Sequence, residues 1–304
     1  MGNIGKALVA CLLAGLSLLG GAKVSLAADP TVRGLYWNFR YEDTFDNINQ
    51  TIGTLKSLGV TRVHFWMNEP PIQKSLVKCD AVFGFADLQG HANWNAIQAR
   101  QFVAALKGAG FKVVLTFSPY VATSEYVDSL FGPDAPVSIA REFADVDVEL
   151  DIEGNWSPSY ALANCPKLLS PQAVKALFVS QLREKAPTVA LGISTDRWAQ
   201  HADIIAKADW VSPQLYTPAA FEAQFKQVLG FGKPIWPALA PGEAGNADTF
   251  GTILAQVDRF RACKPDLANG YVIWSRHDIK PPSYAMAYLT GHPPTADRQP
   301  CGDP

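Results

Sequence analysis

Short β-branched or aromatic runs alternate with longer amphipathic segments from residue 32 to residue 275, and this alternation limits the possible folds more than any other feature. The strand-like runs cover residues 32–39, 60–67, 111–117, 147–153, 188–194, 209–216, 233–239 and 270–275. Strands separated by helices pair in parallel through crossover connections, and eight such units in about 250 residues are typical of a closed (β/α)8 barrel. The sequence therefore predicts an α/β protein built as a single TIM barrel.

The segments between the runs have helical spacing and recognisable ends. One begins with Ser170 as a cap and Pro171 in its first turn, while two others end at Gly59 and at Gly108 or Gly110. The alternative architecture is an open, doubly wound sheet. No GxGxxG motif follows the first strand-like run, and this favours the barrel.

The first residues of the chain do not resemble part of this fold. Lys6 precedes a short apolar run, and Ser25 and Ala27 have the small-residue spacing that signal peptidase recognises. The predicted divisions are a signal peptide at 1–27, a catalytic barrel at 28–290 and an irregular tail at 291–304. We expect a secreted or periplasmic protein. Lipidation at Cys11 is the weaker alternative, because most of the apolar run follows that cysteine.

Charge and hydropathy narrow the classes of partner. The chain carries 26 basic and 28 acidic residues without a basic block, so we expect no nucleic-acid partner. The early apolar run is shorter than the roughly 18 residues of a membrane-spanning helix, and no later segment is long and apolar enough. We therefore expect no membrane insertion of the mature chain, and we expect a monomer.

Four cysteines remain after the predicted cleavage, namely Cys79, Cys165, Cys263 and Cys301. An even number in an exported protein favours two disulfides, although four cysteines allow three pairings. A Cys79–Cys165 bridge would tie together the long connections after the second and fourth strands, and Cys301 would then pair with Cys263. No CxxC pair is present, so we expect no structural zinc site.

The fourth strand-like run, DVELDIEGNW, has an acid at every second position: Asp147, Glu149, Asp151 and Glu153. Alternate residues of a strand share a face, so these carboxylates are predicted to point the same way. Function in such barrels gathers at the carboxyl ends of the strands, which makes Asp151 and Glu153 the predicted catalytic residues. Two adjacent acids do not both ionise easily, so one pKa rises and that acid can donate a proton. We expect Asp147 near the opposite rim, and Glu149 to be paired or protonated.

The same run resembles the DxxDxDxE motif of glycoside hydrolase family 18, the chitinase and endo-N-acetylglucosaminidase family. Aligned on Glu153, the sequence matches at Asp151, has Glu149 where the family has an Asp, and has Val146 where the first Asp would stand. Asp147, one position later, is a candidate for a displaced first Asp.

Two further segments resemble landmarks of the family. SPQLYTP is similar to the sixth-strand segment that ends in a tyrosine, here Tyr216, and YVIWS to the eighth-strand segment that ends in a tryptophan, here Trp274. The family's Asp after that tyrosine is Thr217 here, and the family's Gly-rich third-strand motif is absent. The resemblance covers the whole barrel, but its motifs match only in part.

The resemblance implies substrate-assisted hydrolysis of a glycan that contains N-acetylhexosamine, without a cofactor. Glu153 would protonate the leaving oxygen, and Asp151 would orient the acetamido group whose carbonyl oxygen is the nucleophile. Tyr216 would donate a hydrogen bond to that group, and Trp274 would form the apolar floor under the sugar. Gln214, which shares a face with Tyr216, is expected to add a polar contact.

Other residues near strand ends suit a carbohydrate ligand. Trp37 and Trp66 supply flat apolar surfaces on which sugar rings stack, and Glu69 is expected to reach the functional rim. Glu69 also belongs to an Asn-Glu-Pro triplet found in a large clan of retaining glycosidases, where it would be the acid/base and Glu243 the nucleophile. In that clan the triplet lies on the fourth strand, whereas here it follows the second.

Three remaining classes of function are less favoured. Family 25 muramidases need an Asp at the end of the first strand, where this chain has Asn38. The histidines show no HxxxH or HExxH spacing, so we expect no metal site. A catalytically inactive carbohydrate-binding barrel stays open, because Val146, Glu149 and Thr217 depart from the family pattern.

Overall fold

The computed structural model describes residues 32–37, 48–66, 96–117, 122–132, 145–152, 165–217, 227–240 and 270–274, with a few positions between 220 and 267. The chain divides into Met1–Pro30 and Thr31–Pro304, and every described residue belongs to the second unit. The predicted signal peptide and irregular tail lie outside the described residues. The three divisions of the chain therefore stay predictions.

Eight parallel strands form the centre of the fold. They are β1 (Val32–Trp37), β2 (Arg62–Trp66), β3 (Lys112–Phe117), β4 (Asp147–Ile152), β5 (Leu191–Thr195), β6 (Trp210–Pro213), β7 (Ala238–Leu239) and β8 (Gly270–Trp274). Their order is β6-β5-β4-β3-β2-β1-β8-β7, and all neighbouring pairs are parallel. The two end strands meet through the pairs Val211–Ile235 and Gln214–Ala238, which bring the sheet round into a barrel. The predicted (β/α)8 fold is confirmed.

Helices lie between the strands along the chain. The described ones are α1 (Ile48–Ser57), α2 (Ala96–Gly108), α3 (Ser124–Ser129), α4 (Pro171–Lys185), a 3-10 helix at Trp198–His201 and α5 (Ala202–Ile205). None of the helices in the described ranges is long and apolar enough to cross a membrane.

The helix ends follow from local sequence. Ser170 caps α4, since its hydroxyl accepts a hydrogen bond from the Ala173 backbone N–H at 3.2 Å, and Pro171 occupies the first turn. Gly59 and Gly110, just after α1 and α2, have φ values of 65° and 93°. This left-handed conformation is costly for residues with a Cβ, so glycine is favoured where each helix turns into the next strand.

Apolar side chains pack on both the outer and the inner surface of the barrel. Outward-facing strand residues such as Val63, Leu115 and Leu150 belong to the larger core with the helices. A smaller core fills the barrel interior and consists of Val32, Tyr36, Val114, Trp210, Trp236, Ala238 and Val272. Because both faces of each strand are covered, polar groups that point inward must find partners inside the barrel.

An aromatic and ionic cluster fills the interior at the amino-terminal end of the strands. The Arg62 guanidinium lies 4.1 Å from the ring centre of Trp236 and 5.5 Å from that of Trp210. Arg62 Nη1 donates to Asp147 Oδ2 at 2.8 Å. This arrangement occupies the interior opposite the end where the site residues lie.

Candidate active site

The acids of β4 are arranged as the alternation predicts. Asp147, Glu149 and Asp151 alternate with Val148, Leu150 and Ile152, which are buried in the core between strands and helices. Glu149 is fully buried and Asp151 is 3% exposed, whereas the Asp147 side chain is 26% exposed and bound to Arg62 at the start of the strand. The acid nearest the carboxyl end, Asp151, is the described one best placed for chemistry.

Asp151 is held by a residue from beyond the neighbouring strand. Gln214 Nε2 donates to Asp151 Oδ1 at 2.8 Å and also lies 3.4 Å from Ser194 Oγ. Asp151 is paired in register with Ser194 of β5, and Gln214 directly follows β6. The amide therefore reaches Asp151 past the small side chain of β5, and it fixes the orientation of the carboxyl group.

Tyr36 of β1 lies among the inward-facing acids. Its ring centre is 4.7 Å from that of His64 and 5.5 Å from that of Trp274. Burial raises the pKa of the Tyr36 phenol well above its usual value, and the nearby Glu149, Asp151 and Tyr216 raise it further. Tyr36 consequently stays a neutral hydroxyl beside the carboxylates.

Glu149 lies one inward-facing position below Asp151 on the strand. Its Oε2 atom is 2.9 Å from His64 Nδ1 and accepts a hydrogen bond from Thr116 Oγ1 at 3.2 Å. Glu149 and His64 have fully buried side chains. The expectation that Glu149 is paired agrees with this geometry, while its predicted contact with substrate stays a prediction.

Two aromatic side chains line the same end of the barrel. Tyr216 and Trp274 are partly buried, and both pack against the interior core cluster. Trp274 stands edge-on to Tyr36, and it is the last residue of β8. Both residues therefore lie at the same end of the barrel as Asp151, while the predicted roles of Trp274 as an apolar floor and of Tyr216 as a hydrogen-bond donor stay predictions.

Several predicted site residues fall outside the part of the chain that the structure describes. Glu153, Glu69 and Glu243 are among them, so their roles stay predictions. Trp37 and Trp66 end β1 and β2, but only their strand positions are described.

One of the four predicted disulfide cysteines is described. Cys165 is buried and disulfide-bonded. Cys79, Cys263 and Cys301 lie outside the described residues, and the pairing therefore stays a prediction.

The sequence analysis did not single out His64, Tyr36, Thr116 or Ser194 as site residues. Each occupies an inward-facing position of its strand. Tyr36 is paired in register with His64, and Ser194 is paired in register with Asp151. Their sequence signal was a hydroxyl or imidazole side chain next to an apolar neighbour in a strand, which becomes informative only when the inward face of every strand is known. No group of three or more His, Cys, Asp or Glu side chains in the described part of the chain is placed to hold a metal ion.

Comparisons with known proteins support the fold. No protein-family model matches the sequence, and no curated protein sequence matches it significantly. A family 18 chitinase structure from Pseudoalteromonas aurantia superposes with a TM-score of 0.50 at 12% identity, over 86% of this chain and 98% of the chitinase.

Two more solved structures show lower similarity. An endo-β-1,4-mannanase from Thermotoga petrophila has a TM-score of 0.46 at 12% identity, over 84% of this chain and 71% of the mannanase. A protein from Clostridium thermocellum that binds 5-methyl-5,6,7,8-tetrahydrofolic acid has a TM-score of 0.49 at 10% identity, over 87% and 96% of the two chains. A barrel of this kind can host many functions, so the site residues must carry the functional argument.

Proposed function

We propose that this protein is a glycoside hydrolase that cleaves an N-acetylhexosamine-containing glycan, with Glu153 as general acid and Asp151 as its partner. The observation that carries the proposal is the Asp151 carboxylate, which is buried at the carboxyl end of β4 and held by Gln214 Nε2 at 2.8 Å. A fixed anion in a water-poor interior is suited to stabilise positive charge that develops during a reaction.

The surroundings of Asp151 suit the acetamido group of such a sugar. In substrate-assisted hydrolysis the acetamido carbonyl oxygen attacks the anomeric carbon, and the ring that forms carries positive charge next to the nitrogen. Asp151 would accept a hydrogen bond from the acetamido N–H and stabilise that charge. The Tyr216 hydroxyl would donate a hydrogen bond to the carbonyl oxygen. Tyr36, which stays neutral, adds a second hydroxyl beside the acids.

The proposed acid follows from the period of the strand. Glu153 comes two residues after Asp151, so an extended continuation of β4 would turn its carboxyl group to the same side. The negative charge of Asp151 would favour the protonated form of Glu153. In the first step Glu153 gives its proton to the leaving glycosidic oxygen, and in the second it takes a proton from the attacking water.

The departures from the family pattern favour a second candidate, an inactive carbohydrate-binding barrel. Val146, at the position of the family's first Asp, is apolar and 2% exposed, and Asp147 binds Arg62 instead of replacing that acid in the site. The aromatic residues Trp274 and Tyr216 would serve a binding protein equally well.

Hydrolysis assays on a panel of soluble oligosaccharides distinguish these candidates. We expect the wild type to cleave at least one N-acetylhexosamine oligomer, and Glu153→Gln to lose about 10²- to 10⁴-fold in kcat. Asp145→Asn is a matched control, since Asp145 is a mainly exposed acid paired with Lys107 close to β4, and it should keep full activity.

Each outcome of these assays decides between the candidates. If Glu153→Gln cleaves as fast as the wild type, Glu153 is not the acid. If the wild type binds oligosaccharides in calorimetry without cleaving any, the binding candidate replaces the hydrolase.

A further inference from the structure

A buried imidazole–carboxylate pair lies in the barrel interior below Asp151, and the proposed mechanism does not use it. His64 Nδ1 is 2.9 Å from Glu149 Oε2, and neither side chain has solvent exposure. Glu149 and Asp151 are successive inward-facing residues of β4, so the pair lies one layer below the proposed site.

The hydrogen bonds around Glu149 indicate where the shared proton lies. Glu149 Oε2 is approached both by His64 Nδ1 and by the Thr116 hydroxyl, which donates at 3.2 Å. Two hydrogen bonds into the same oxygen favour the ionised carboxylate, because hydrogen bonds to a charged acceptor are the stronger ones, and they leave His64 Nδ1 as the donor. The proton between His64 and Glu149 therefore belongs on Nδ1.

The charges in this part of the interior explain why such a pair matters. Among the described residues, the titratable and charged groups around it are Tyr36 from β1, Arg62 from β2, Lys112 from β3, which acts on Asp147, Asp147 and Asp151 from β4, and Tyr216 after β6. Arg62 lies toward the amino-terminal end, where it binds Asp147, whereas Asp151 lies toward the site. A negative charge on Glu149 thus lies next to Asp151, the following inward-facing acid of β4.

We propose that His64 is a positioning residue, which holds Glu149 as a carboxylate below Asp151 by donating its Nδ1–H. This inference rests on the proposed function. A fixed negative charge one layer below makes it harder for the acids at the end of β4 to lose their last proton. His64 would in this way help the site keep the proton that general-acid catalysis needs at higher pH.

The proton on Nδ1 can be measured without any activity assay. Imidazole nitrogen NMR spectra of the full chain, with the His64 signals assigned by their loss in His64→Asn, should show a proton on Nδ1 from about pH 5 to 8. The other four histidines serve as internal references. A neutral His64 with its proton on Nε2 and a bare Nδ1 would overturn the inference, because Glu149 would then be the donor.

Two substitutions at His64 test its role in the reaction. His64→Asn keeps a neutral N–H close to the position of Nδ1, whereas His64→Phe keeps the ring volume and loses the donor. We expect His64→Phe to lower kcat about 100-fold with KM within about threefold, and to shift the basic limb of the pH–rate profile to lower pH. His64→Asn should recover at least tenfold of that loss and restore the limb.

Controls keep the outcomes apart. His201→Asn changes a buried histidine of the 3-10 helix outside the barrel interior and should leave the pH profile unchanged. Equal profiles for His64→Phe and the wild type would overturn the inference, as would equal losses in His64→Phe and His64→Asn. If the wild type cleaves no glycan, the proposed function fails and the NMR result alone decides the role of His64.

Discussion

At the scale of single residues, the ion pair of Arg62 and Asp147 shows how costly charges are inside this barrel. Burial raises the pKa of Asp147 and outweighs the Arg62 guanidinium, which lowers it, although the two groups are only 2.8 Å apart. The Arg62 side chain is almost fully buried and also stacks on Trp236. Each charge of the pair is thus tolerated mainly because the other is present.

Loss of one partner should therefore cost more than loss of both. We expect Asp147→Asn to lower the free energy of unfolding by about 3 kcal/mol, because the buried Arg62 guanidinium would lose the carboxylate that lies 2.8 Å away. The double variant Arg62→Met with Asp147→Leu should lie within about 1 kcal/mol of the wild type. Urea unfolding of the three proteins measures both values, and a single variant as stable as the double variant would contradict this explanation.

At the scale of secondary-structure elements, β5 and β6 fit together only because β5 carries a glycine. A Cβ placed on Gly192 would lie 2.1 Å from Trp210 Cε2, so the indole of β6 occupies the space that any larger residue would need. Trp210 packs in turn against Trp236, with ring centres 4.9 Å apart. The aromatic cluster of the interior therefore depends on the absence of a side chain at Gly192.

Gly192→Ala should destabilise the protein by about 1–3 kcal/mol, because Trp210 must move out of a well-packed position. Gly53→Ala is the matched control: Gly53 lies in α1 with nothing within 4 Å of the point where a Cβ would lie, and the change should stabilise by about 0.5–1 kcal/mol. Thermal unfolding compares the two. Equal effects would show that the space at Gly192 is not restrictive.

The packing of α4 against the 3-10 helix brings two buried basic groups together. Lys175 Nζ lies 3.5 Å from His201 Nδ1, and burial is the main cause that lowers the pKa of each, while Asp203 raises both. Below its usual pKa of 6.5 the unfolded chain thus binds more protons at His201 than the folded chain does. The free energy of unfolding should therefore rise as the pH increases toward 6.5, and it should level off above that pH, where His201 is neutral in both states.

Lys175→Met should raise the free energy of unfolding by about 1 kcal/mol at pH 6 and reduce its dependence on pH, because the variant removes the positive charge beside His201. Chemical unfolding at a series of pH values around 6 measures both. An unchanged pH dependence together with lower stability would mean that the ammonium group stabilises the fold.

At the scale of the whole molecule, the alternation of strand and helix patterns was enough to predict the barrel. Strand bounds were less predictable where proline intervenes. The predicted strand at 233–239 is reduced to Ala238–Leu239, since Pro234 and Pro237 have no N–H to donate to a neighbouring strand. The inward row of acids on β4 followed from the period of two alone.

The partners of those acids could not be predicted in the same way. His64 lies 85 residues before Glu149, and Gln214 lies 63 residues after Asp151. Each contact depends on how far each strand is shifted along its neighbour, and no local pattern encodes that shift. Local periodicity thus identifies the residues that point inward, whereas closure of the barrel determines which of them meet.

Gln214 takes part in two junctions at once. Its backbone pairs with Ala238 where the ends of the sheet meet, and its side chain holds Asp151 on the far side of β5. A chain whose last strands are not yet docked would leave Asp151 without this amide. The position of the Asp151 side chain is thereby coupled to closure of the barrel, because the residue that closes the sheet is also the one that fixes this carboxyl group.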